Sequence, residues 1–312
     1  MKKIACMFPG QGSQKVGMGK QLYEAYEEVR ELYKRANEVL DKDITSLMFE
    51  GPQEQLTETE NAQPALLLSS VAAYTLFEKE KITPSMVVGH SLGEYSALVV
   101  AGAIPVDEAL PLVQTRGRLM EKAYPKGKGT MAAVLGMKEE EIQPIVEQID
   151  DEIVDVANLN CPGQIVISGS KAGVDRASEL LKEAGARRVL PLNVSGPFHS
   201  RLMKEANKDF AKYLDETTIS NATIPVYANV TAKPVKQKEE IKQLLLEQLY
   251  SPVRFEQSIR NMIDQGIEAF VEVGTGSVLS GLVRKIDRSV KTFSVQDEKT
   301  FEKFLTWYKE DA

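Results

Sequence analysis

The segment from Val87 to Tyr95 constrains the fold of this chain more than any other. It contains Gly-His-Ser-Leu-Gly, a match to the pattern G-x-S-x-G, between an apolar run and a helix-forming run. This pattern is typical of a sharp turn between a strand and a helix that leaves a serine hydroxyl exposed. We therefore predict a buried strand before Ser91, a helix over 94–101 and a reactive hydroxyl between them. Glycines are expected on both sides of the serine, because side chains there would collide with the neighbouring strand or helix.

Composition excludes several classes of function. The chain has 312 residues and a formal charge of −7, which disfavours nucleic-acid binding by bulk electrostatics. No apolar run approaches the roughly 20 residues needed to cross a bilayer, so we expect no membrane association. Cys6 and Cys161 are the only cysteines, and His90 and His199 the only histidines. These residues form neither a disulfide framework nor a metal-binding spacing, which indicates a reducing, cytoplasmic location.

A glycine-rich loop, Gly10-Gln11-Gly12-Ser13-Gln14, follows a predicted strand at Ile4–Phe8. It matches neither the dinucleotide-binding nor the P-loop template, because the glycines and the lysine fall in the wrong register. Two interpretations remain open at this point. The glycines present Gln11 to a ligand, or the segment is a simple tight turn.

An exposed serine at such a turn needs a base, and the chain offers two histidines. His90 precedes Ser91 on the strand, so its side chain is expected to point away from the serine. His199 lies in a Gly-Pro-Phe-His-Ser loop before a predicted helix, and catalytic groups are often carried on loops. By elimination, His199 is the predicted base.

Domain organisation follows from the order of predicted elements. Beyond a Pro/Gly/Lys linker at 125–129, strands are predicted at 130–135, 153–157, 164–168 and 187–192, with helices at 139–149 and 171–184. This β-α-β-β-α-β order is the ferredoxin-like pattern, and it predicts a small inserted domain. The flanking segments alternate strands and helices, among them a helix at 23–40 and a strand at 224–229, which indicates an α/β sheet covered by helices.

Five motifs occur in a fixed order along the chain. They are Gly10-Gln11-Gly12-Ser13-Gln14, Gly89-His90-Ser91-Leu92-Gly93-Glu94, Arg116, Gly196-Pro197-Phe198-His199-Ser200 and Gln248-Leu249-Tyr250-Ser251-Pro252-Val253. Together they resemble the malonyl-CoA:acyl-carrier-protein transacylases of bacterial type II fatty-acid synthesis, over essentially the whole chain. The resemblance implies an α/β-hydrolase-like large subdomain, 1–127 and 197–312, with an inserted ferredoxin-like small subdomain, 128–196.

The resemblance also implies catalytic roles. Ser91 is expected to be the acylated nucleophile, and His199 its base and later its acid. The backbone carbonyl of Gln248 is expected to orient His199 in place of a carboxylate. The backbone N–H groups of Gln11 and Leu92 are expected to form the oxyanion hole.

Substrate-binding roles follow in the same way for Arg116, Phe198 and Gln11. A guanidinium can bind the free carboxylate of a malonyl group through two parallel hydrogen bonds, which suits Arg116. Phe198 resembles the malonyl-type form of related acyltransferases, which disfavours methylmalonyl. The implied reaction is ping-pong, from malonyl-CoA to Ser91 and then to the phosphopantetheine thiol of an acyl carrier protein, with no metal or redox cofactor.

The expected carrier protein is acidic, whereas this chain is itself net acidic, so docking requires a local basic patch. Arg187 and Arg188 form one candidate, and Arg284 and Lys285 form another, with an ordinary solvated surface as the alternative for each. A monomer is expected, because the sequence shows no heptad pattern. The turn Gly274-Thr275-Gly276 departs from relatives that usually carry Pro in the middle. It either closes the site or caps the next helix, and we favour the cap.

Three other interpretations remain. A stand-alone acyltransferase that serves a polyketide synthase has the same site chemistry. A serine thioesterase or esterase needs an acidic residue between Ser91 and His199, and none lies in a turn that singles it out. It would also leave Arg116 without a purpose. A non-catalytic scaffold for carrier proteins is disfavoured by the intact set of Ser91, His199 and Arg116.

Overall fold

The computed structural model describes residues 2–310, which form two β-sheets surrounded by helices. The larger sheet consists of β1 (Ile4–Phe8), β2 (Met86–Gly89), β7 (Val226–Tyr227), β8 (Pro234–Val235), β9 (Ala269–Val273) and β10 (Lys291–Val295). Its strand order is β10-β9-β1-β2-β7-β8. Adjacent strands are parallel except β7 and β8, which pair in antiparallel orientation.

The smaller sheet is antiparallel. It consists of β3 (Gly129–Leu135), β4 (Val154–Cys161), β5 (Gln164–Ser170) and β6 (Arg188–Pro191), in the order β4-β5-β3-β6. This is the strand order of a ferredoxin-like fold, as predicted. Its strands and its two helices fall within the predicted inserted segment, whose boundaries stay a prediction.

Helices occupy most of the rest of the chain. They are α1 (Lys20–Ala25), α2 (Glu27–Leu40), α3 (Ile44–Glu50), α4 (Gln53–Thr57), α5 (Thr59–Lys79), α6 (Leu92–Val100), α7 (Val106–Lys122), α8 (Glu139–Glu147), α9 (Lys171–Glu183), α10 (Lys204–Glu216), α11 (Lys238–Gln248), α12 (Phe255–Asp264), α13 (Val278–Ile286) and α14 (Glu298–Lys309). A 3₁₀ turn, Arg201–Met203, precedes α10. No helix in the described part of the chain is both long enough and apolar enough to cross a membrane.

Strand β1 is buried along its whole length, which explains its continuous apolar sequence. Ile4, Cys6 and Phe8 belong to a core that includes residues of α5, α6 and α7. Ala5 and Met7 face the opposite core, formed with α12 and α13. The alternation of side chains along a strand therefore joins both layers of helices to one sheet.

The two sheets also share a core. One face of the small sheet packs on α8 and α9, whereas Met131, Ala133 and Val166 on its other face join the core of the large sheet. A backbone bridge reinforces this junction, because the N–H of Leu159 donates to the carbonyl of Val253 at 2.8 Å. The space between the sheets is therefore enclosed by elements of both.

Several predicted elements differ from the structure, among them the strand predicted over 153–157, which extends to Cys161. The helix predicted over 23–40 is two helices, because Tyr26 has an extended backbone with φ −124° and ψ 128°. The strand predicted over 224–229 is limited to Val226–Tyr227. The helix after the G-x-S-x-G turn begins at Leu92, two residues before the predicted start.

Strand register places two loops at one edge of the large sheet. Phe8 pairs with Gly89, so the carboxyl ends of β1 and β2 lie side by side. The N–H of His90 donates to the carbonyl of Phe8 at 3.1 Å. The glycine-rich loop after β1 and the serine turn after β2 are therefore neighbours.

Candidate active site

The turn at Ser91 has the strained geometry that the motif predicts. Ser91 has φ 52° and ψ −106°, outside the regions that residues with side chains usually adopt. A Cβ atom added to Gly89 would overlap the backbone of Gly93, and one added to Gly93 would overlap the carbonyl oxygen of Phe8. The predicted steric need for glycine on both sides of Ser91 is confirmed.

Ser91, His199 and Gln248 form a continuous hydrogen-bonded chain. Ser91 Oγ lies 2.8 Å from Nε2 of His199, and Nδ1 of His199 lies 2.9 Å from the backbone carbonyl oxygen of Gln248. A carbonyl oxygen can only accept, so Nδ1 carries the proton and Nε2 is free to accept from the serine hydroxyl. In this orientation, the imidazole of His199 can take the proton of the serine hydroxyl.

His199 is buried, and its backbone has φ 58°, so its loop holds it in a left-handed conformation. Burial is the main cause that lowers the pKa of His199 to about 3, and the positive charge of Arg116 lowers it further. The imidazole is therefore neutral near pH 7, which is the protonation state required of a base.

Arg116 extends from α7 into the interior, with 1% of its surface exposed. Its guanidinium donates to the side-chain oxygens of Gln63 at 2.9 Å and Gln248 at 3.0 Å, and to Ser91 Oγ at 3.2 Å. These acceptors are uncharged, and Nε has no partner among residues 2–310. A buried cation with neutral acceptors, in contact with the serine hydroxyl, can receive an anionic group.

A cleft of about 360 Å³ opens above Ser91, between the two sheets. Gln11, Phe198 and His199 line it on the side of the large sheet, and Asn160 and Gln164 on the side of the small sheet. The cleft therefore contains the predicted substrate-binding residue Phe198 next to the base.

The predicted oxyanion donors lie at the same place. Gln11 lines the cleft, and Leu92 is the first residue of α6, directly after Ser91. The side chain of Gln11 is held by Thr59, whose Oγ1 accepts from Nε2 at 3.1 Å. The backbone N–H groups of Gln11 and Leu92 donate to no other residue within the described sequence. Both donors are thus available to a ligand.

Sequence reasoning missed Asn229. Its Oδ1 accepts from the N–H of Ser91 at 2.8 Å, and its Nδ2 donates to the carbonyl of Gly89 at 2.6 Å. The side chain therefore bonds to both sides of the strained turn. Its position at the end of a predicted strand was the only available signal, and that signal does not reveal the contact.

His90 is directed away from the serine, as predicted. Its Nε2 lies 2.8 Å from Oδ1 of Asn160 in β4, so it links the turn to the small sheet. Sequence reasoning also missed Gln63, the partner of Arg116, which lies in the buried helix α5.

The candidate docking residues are all exposed, but they lie in different places. Nζ of Lys285 lies 3.4 Å from Oε1 of Gln164, which lines the cleft, and Arg284 is its neighbour on α13. Arg187 and Arg188, at the start of β6, are outside the cleft lining.

The turn at Thr275 does not cap α13 with its side chains. The buried carboxylate of Glu272 accepts from the N–H groups of Leu279 at 3.1 Å and Ser280 at 2.8 Å, and so caps this helix. Thr275 is buried and bonded to Ser69 through the two hydroxyl groups, at 2.9 Å. Within residues 2–310, no cluster of three or more His, Cys, Asp or Glu side chains is arranged to hold a metal ion.

The fold and the serine turn are those of an acyl transferase domain, and the family model of that domain matches residues 6–305. A malonyl CoA-acyl carrier protein transacylase of Bacillus subtilis is 51% identical over 100% of this chain and 99% of its own length. One from Staphylococcus aureus strain MRSA252 is 46% identical over the full length of both. The crystal structure of an acyl carrier protein S-malonyltransferase from Vibrio cholerae superposes with a TM-score of 0.95 at 43% identity, covering 97% of this chain and 100% of that one.

The chain therefore belongs to the malonyl CoA-acyl carrier protein transacylase family. A further relative was solved in complex with a type II PKS acyl-carrier protein. It has a TM-score of 0.95 and 39% identity over 98% of this chain and 99% of its own.

Proposed function

We propose that this chain transfers a malonyl group from malonyl-CoA to the phosphopantetheine thiol of acyl carrier protein, and so supplies the extender unit for fatty-acid synthesis. One observation carries the proposal. A base and a buried cation meet at one hydroxyl, because His199 Nε2 and Arg116 Nη2 lie 2.8 and 3.2 Å from Ser91 Oγ. A malonyl thioester has a carbonyl for the serine and a carboxylate for the arginine.

In the first half-reaction, Ser91 Oγ attacks the thioester carbonyl while its proton passes to Nε2 of His199. The backbone N–H groups of Gln11 and Leu92 donate to the oxyanion that forms. The C–S bond then breaks, and the proton on His199 goes to the departing CoA sulfur. The products are malonyl-Ser91 and free CoA.

The second half-reaction reverses these steps with a different thiol. His199 removes the proton of the phosphopantetheine thiol, and the sulfur attacks the malonyl ester. The ester C–O bond breaks, and His199 returns the proton to Ser91 Oγ. The Gln248 carbonyl oxygen keeps His199 oriented throughout. Because a carbonyl oxygen only accepts hydrogen bonds, Nδ1 of His199 keeps its proton and Nε2 remains the atom that exchanges one.

Specificity follows from the pairing of charges in the closed site. A malonyl carboxylate neutralises Arg116, whereas an acetyl group leaves that buried charge without a partner. The same carboxylate offsets the positive charge that lowers the pKa of His199. Malonyl binding thereby makes the base stronger. Phe198, buried beside the base, limits the room for a methyl branch.

The first test is the intact mass of the protein after brief incubation with malonyl-CoA, for the wild type and Ser91→Ala. We expect a malonyl increment on the wild type alone. Free malonate without a mass increment would instead indicate a thioesterase. If neither a mass increment nor free malonate is found, the assignment of malonyl-CoA as the donor is refuted.

A second candidate differs only in the carrier. The complex between a related malonyl-transacylase and a type II PKS acyl-carrier protein makes a polyketide carrier a specific alternative for this chain. Transfer rates from the malonyl-enzyme to a fatty-acid carrier and to a polyketide carrier, measured side by side, separate the two.

We further infer that an acidic carrier docks beside Arg284 and Lys285, because Lys285 contacts a residue of the cleft wall. Arg187 and Arg188, the alternative patch, are not among the described residues that line the cleft. Exchange of Lys285 for Glu should raise KM for the carrier and leave malonyl-CoA acylation unchanged. A monomeric state, a cytoplasmic location and the two-subdomain boundaries stay predictions.

A further inference from the structure

Glu94 is a buried carboxylate in the first turn of α6, with 2% of its surface exposed, and no step of the proposed reaction uses it. Its Oε2 accepts from Nε2 of Gln248 at 2.8 Å and from the backbone N–H of Asn229 at 3.0 Å. A carboxylate buried at this depth is costly unless it is hydrogen-bonded, and both bonds come from residues next to the serine turn.

Gln248 connects Glu94 to both functional halves of the site. Its side-chain oxygen accepts from Arg116 at 3.0 Å, and its backbone carbonyl accepts from His199 at 2.9 Å. Its amide nitrogen also donates to the carbonyl of Ser91 at 3.0 Å. One residue therefore touches the nucleophile, the base and the arginine.

The orientation of the Gln248 amide is determined by Arg116 at its oxygen and by Glu94, the Ser91 carbonyl and Oδ1 of Asn229 at its nitrogen. Arg116 can only donate, and an ionised Glu94 can only accept. A rotated amide would direct its NH₂ group at the guanidinium and its oxygen at the carboxylate, so both bonds would be lost. Glu94 and Arg116 thus hold the amide from opposite ends.

The charge of Glu94 also acts on the site. Burial lowers the pKa of Arg116, and the negative charge of Glu94 opposes that shift. Burial raises the pKa of Glu94 to about 7, against the effects of the Asn229 N–H, Gln248 and Arg116. Above about pH 7 Glu94 is ionised, and its charge and that of Arg116 then support each other across the Gln248 amide.

We propose that Glu94 is a positioning residue that, through Gln248, fixes both the base His199 and the arginine that receives the substrate carboxylate. The assignment of the carboxylate rests on the proposed function, whereas the positioning of His199 does not. Glu94 touches neither substrate nor the reacting atoms in this arrangement. Its effect must therefore pass through the residues that it contacts, chiefly the side chain of Gln248 and also the backbone of Asn229.

The test is a double-mutant cycle with Glu94→Ala, Gln248→Ala and the double variant. The readout is the rate at which a fluorophosphonate probe labels Ser91, a reaction that needs no malonyl group. Small displacements of catalytic groups cost about 100-fold in rate, so we expect each single variant to lose roughly that factor. Because both changes act on one contact, the double variant should lie within about threefold of the slower single variant.

Glu272→Gln is the matched control, since Glu272 is also a buried carboxylate that accepts two backbone N–H bonds, at α13. Its labelling rate should equal that of the wild type. Any of three results would overturn the proposal. They are an unchanged labelling rate in Glu94→Ala, an additive loss of about 10⁴-fold in the double variant, and a loss in Glu272→Gln equal to that in Glu94→Ala.

A second readout addresses the arginine. The ratio of acylation rates with malonyl-CoA and acetyl-CoA should fall about tenfold in Glu94→Ala, because Arg116 loses a fixed acceptor. An unchanged ratio would overturn the part of the proposal that concerns Arg116. A wild type that reacts with the fluorophosphonate but not with malonyl-CoA would refute the proposed function, and the labelling cycle would still decide the role of Glu94.

Discussion

Replacing Arg116 by alanine separates the binding of the substrate carboxylate from the rest of the chemistry. The wild-type guanidinium is buried and bonded to Gln63, Gln248 and Ser91. The substitution removes the cation and leaves two buried amide oxygens without their donor. That damage lowers the rate for every acyl group. In the ratio of the acylation rates with malonyl-CoA and acetyl-CoA this shared loss cancels, so the ratio reports only the contribution of the malonyl carboxylate.

The expected size of the change follows from the number of bonds. Hydrogen bonds to a charged group contribute about 1.5–3 kcal/mol each. A carboxylate held by two of them loses about 3–6 kcal/mol when the guanidinium is removed. At about 1.4 kcal/mol per factor of ten, the malonyl:acetyl ratio should fall roughly 10²- to 10⁴-fold. Removing a buried charge that an acetyl group leaves without a direct anionic partner should also favour acetyl, in the same direction.

The assay is rapid-quench acylation of the enzyme by malonyl-CoA and by acetyl-CoA, followed by intact mass. Arg118→Ala is the matched control, because Arg118 lies two residues further along the same helix and is exposed. Its ratio should equal that of the wild type. Equal losses for both acyl groups in Arg116→Ala would show that the arginine is structural, and would refute the reasoning.

Two further predictions concern stability. Gly93→Ala should destabilise the fold by about 1–3 kcal/mol, because the new Cβ overlaps the carbonyl of Phe8. Gly281→Ala is the control, because Gly281 lies in an open part of α13, and this change should be neutral or stabilising by about 0.5–1 kcal/mol. Thermal unfolding measures both variants. A Tm of Gly93→Ala equal to that of Gly281→Ala would contradict the steric argument. The pKa of His199 is lowered to about 3, against about 6.5 in an unfolded chain, so the unfolded state binds the proton first as the pH falls. As the pH falls from about 6.5 to 4, the free energy of unfolding should therefore fall more in the wild type than in His199→Asn, as measured by urea unfolding. Parallel plots of this free energy against pH for the two proteins would show that burial does not hold His199 neutral.

The parts of the fold that the sequence predicted depend on short-range constraints. The turn at Ser91 follows from glycines whose neighbours are a few residues away, and the ferredoxin-like order follows from the alternation of strand and helix patterns. The break at Tyr26 was not predicted, since neither glycine nor proline marks it. Helices α3, α4 and α14 were not predicted either.

The polar contacts of the site could not be predicted from the residues, because they join segments that are distant in sequence. Asn229 is 138 positions from Ser91, and Gln248 is 154 from Glu94. An asparagine after a strand and a glutamine at the end of a helix have many possible partners. The role of Gln248 was expected only from the resemblance, and the structure adds its side-chain contacts.

The partner of His199 explains why this site can accept an anionic substrate. Gln248 presents a neutral carbonyl to His199 and a neutral amide oxygen to Arg116. A carboxylate in that position would orient the histidine equally well, but it would lie beside the guanidinium and compete with the substrate for it. Using a carbonyl keeps Arg116 free for a malonyl group. The carboxylate of Glu94 bonds to the opposite end of the same amide, so it helps to orient the arginine through Gln248 and leaves the guanidinium to the substrate.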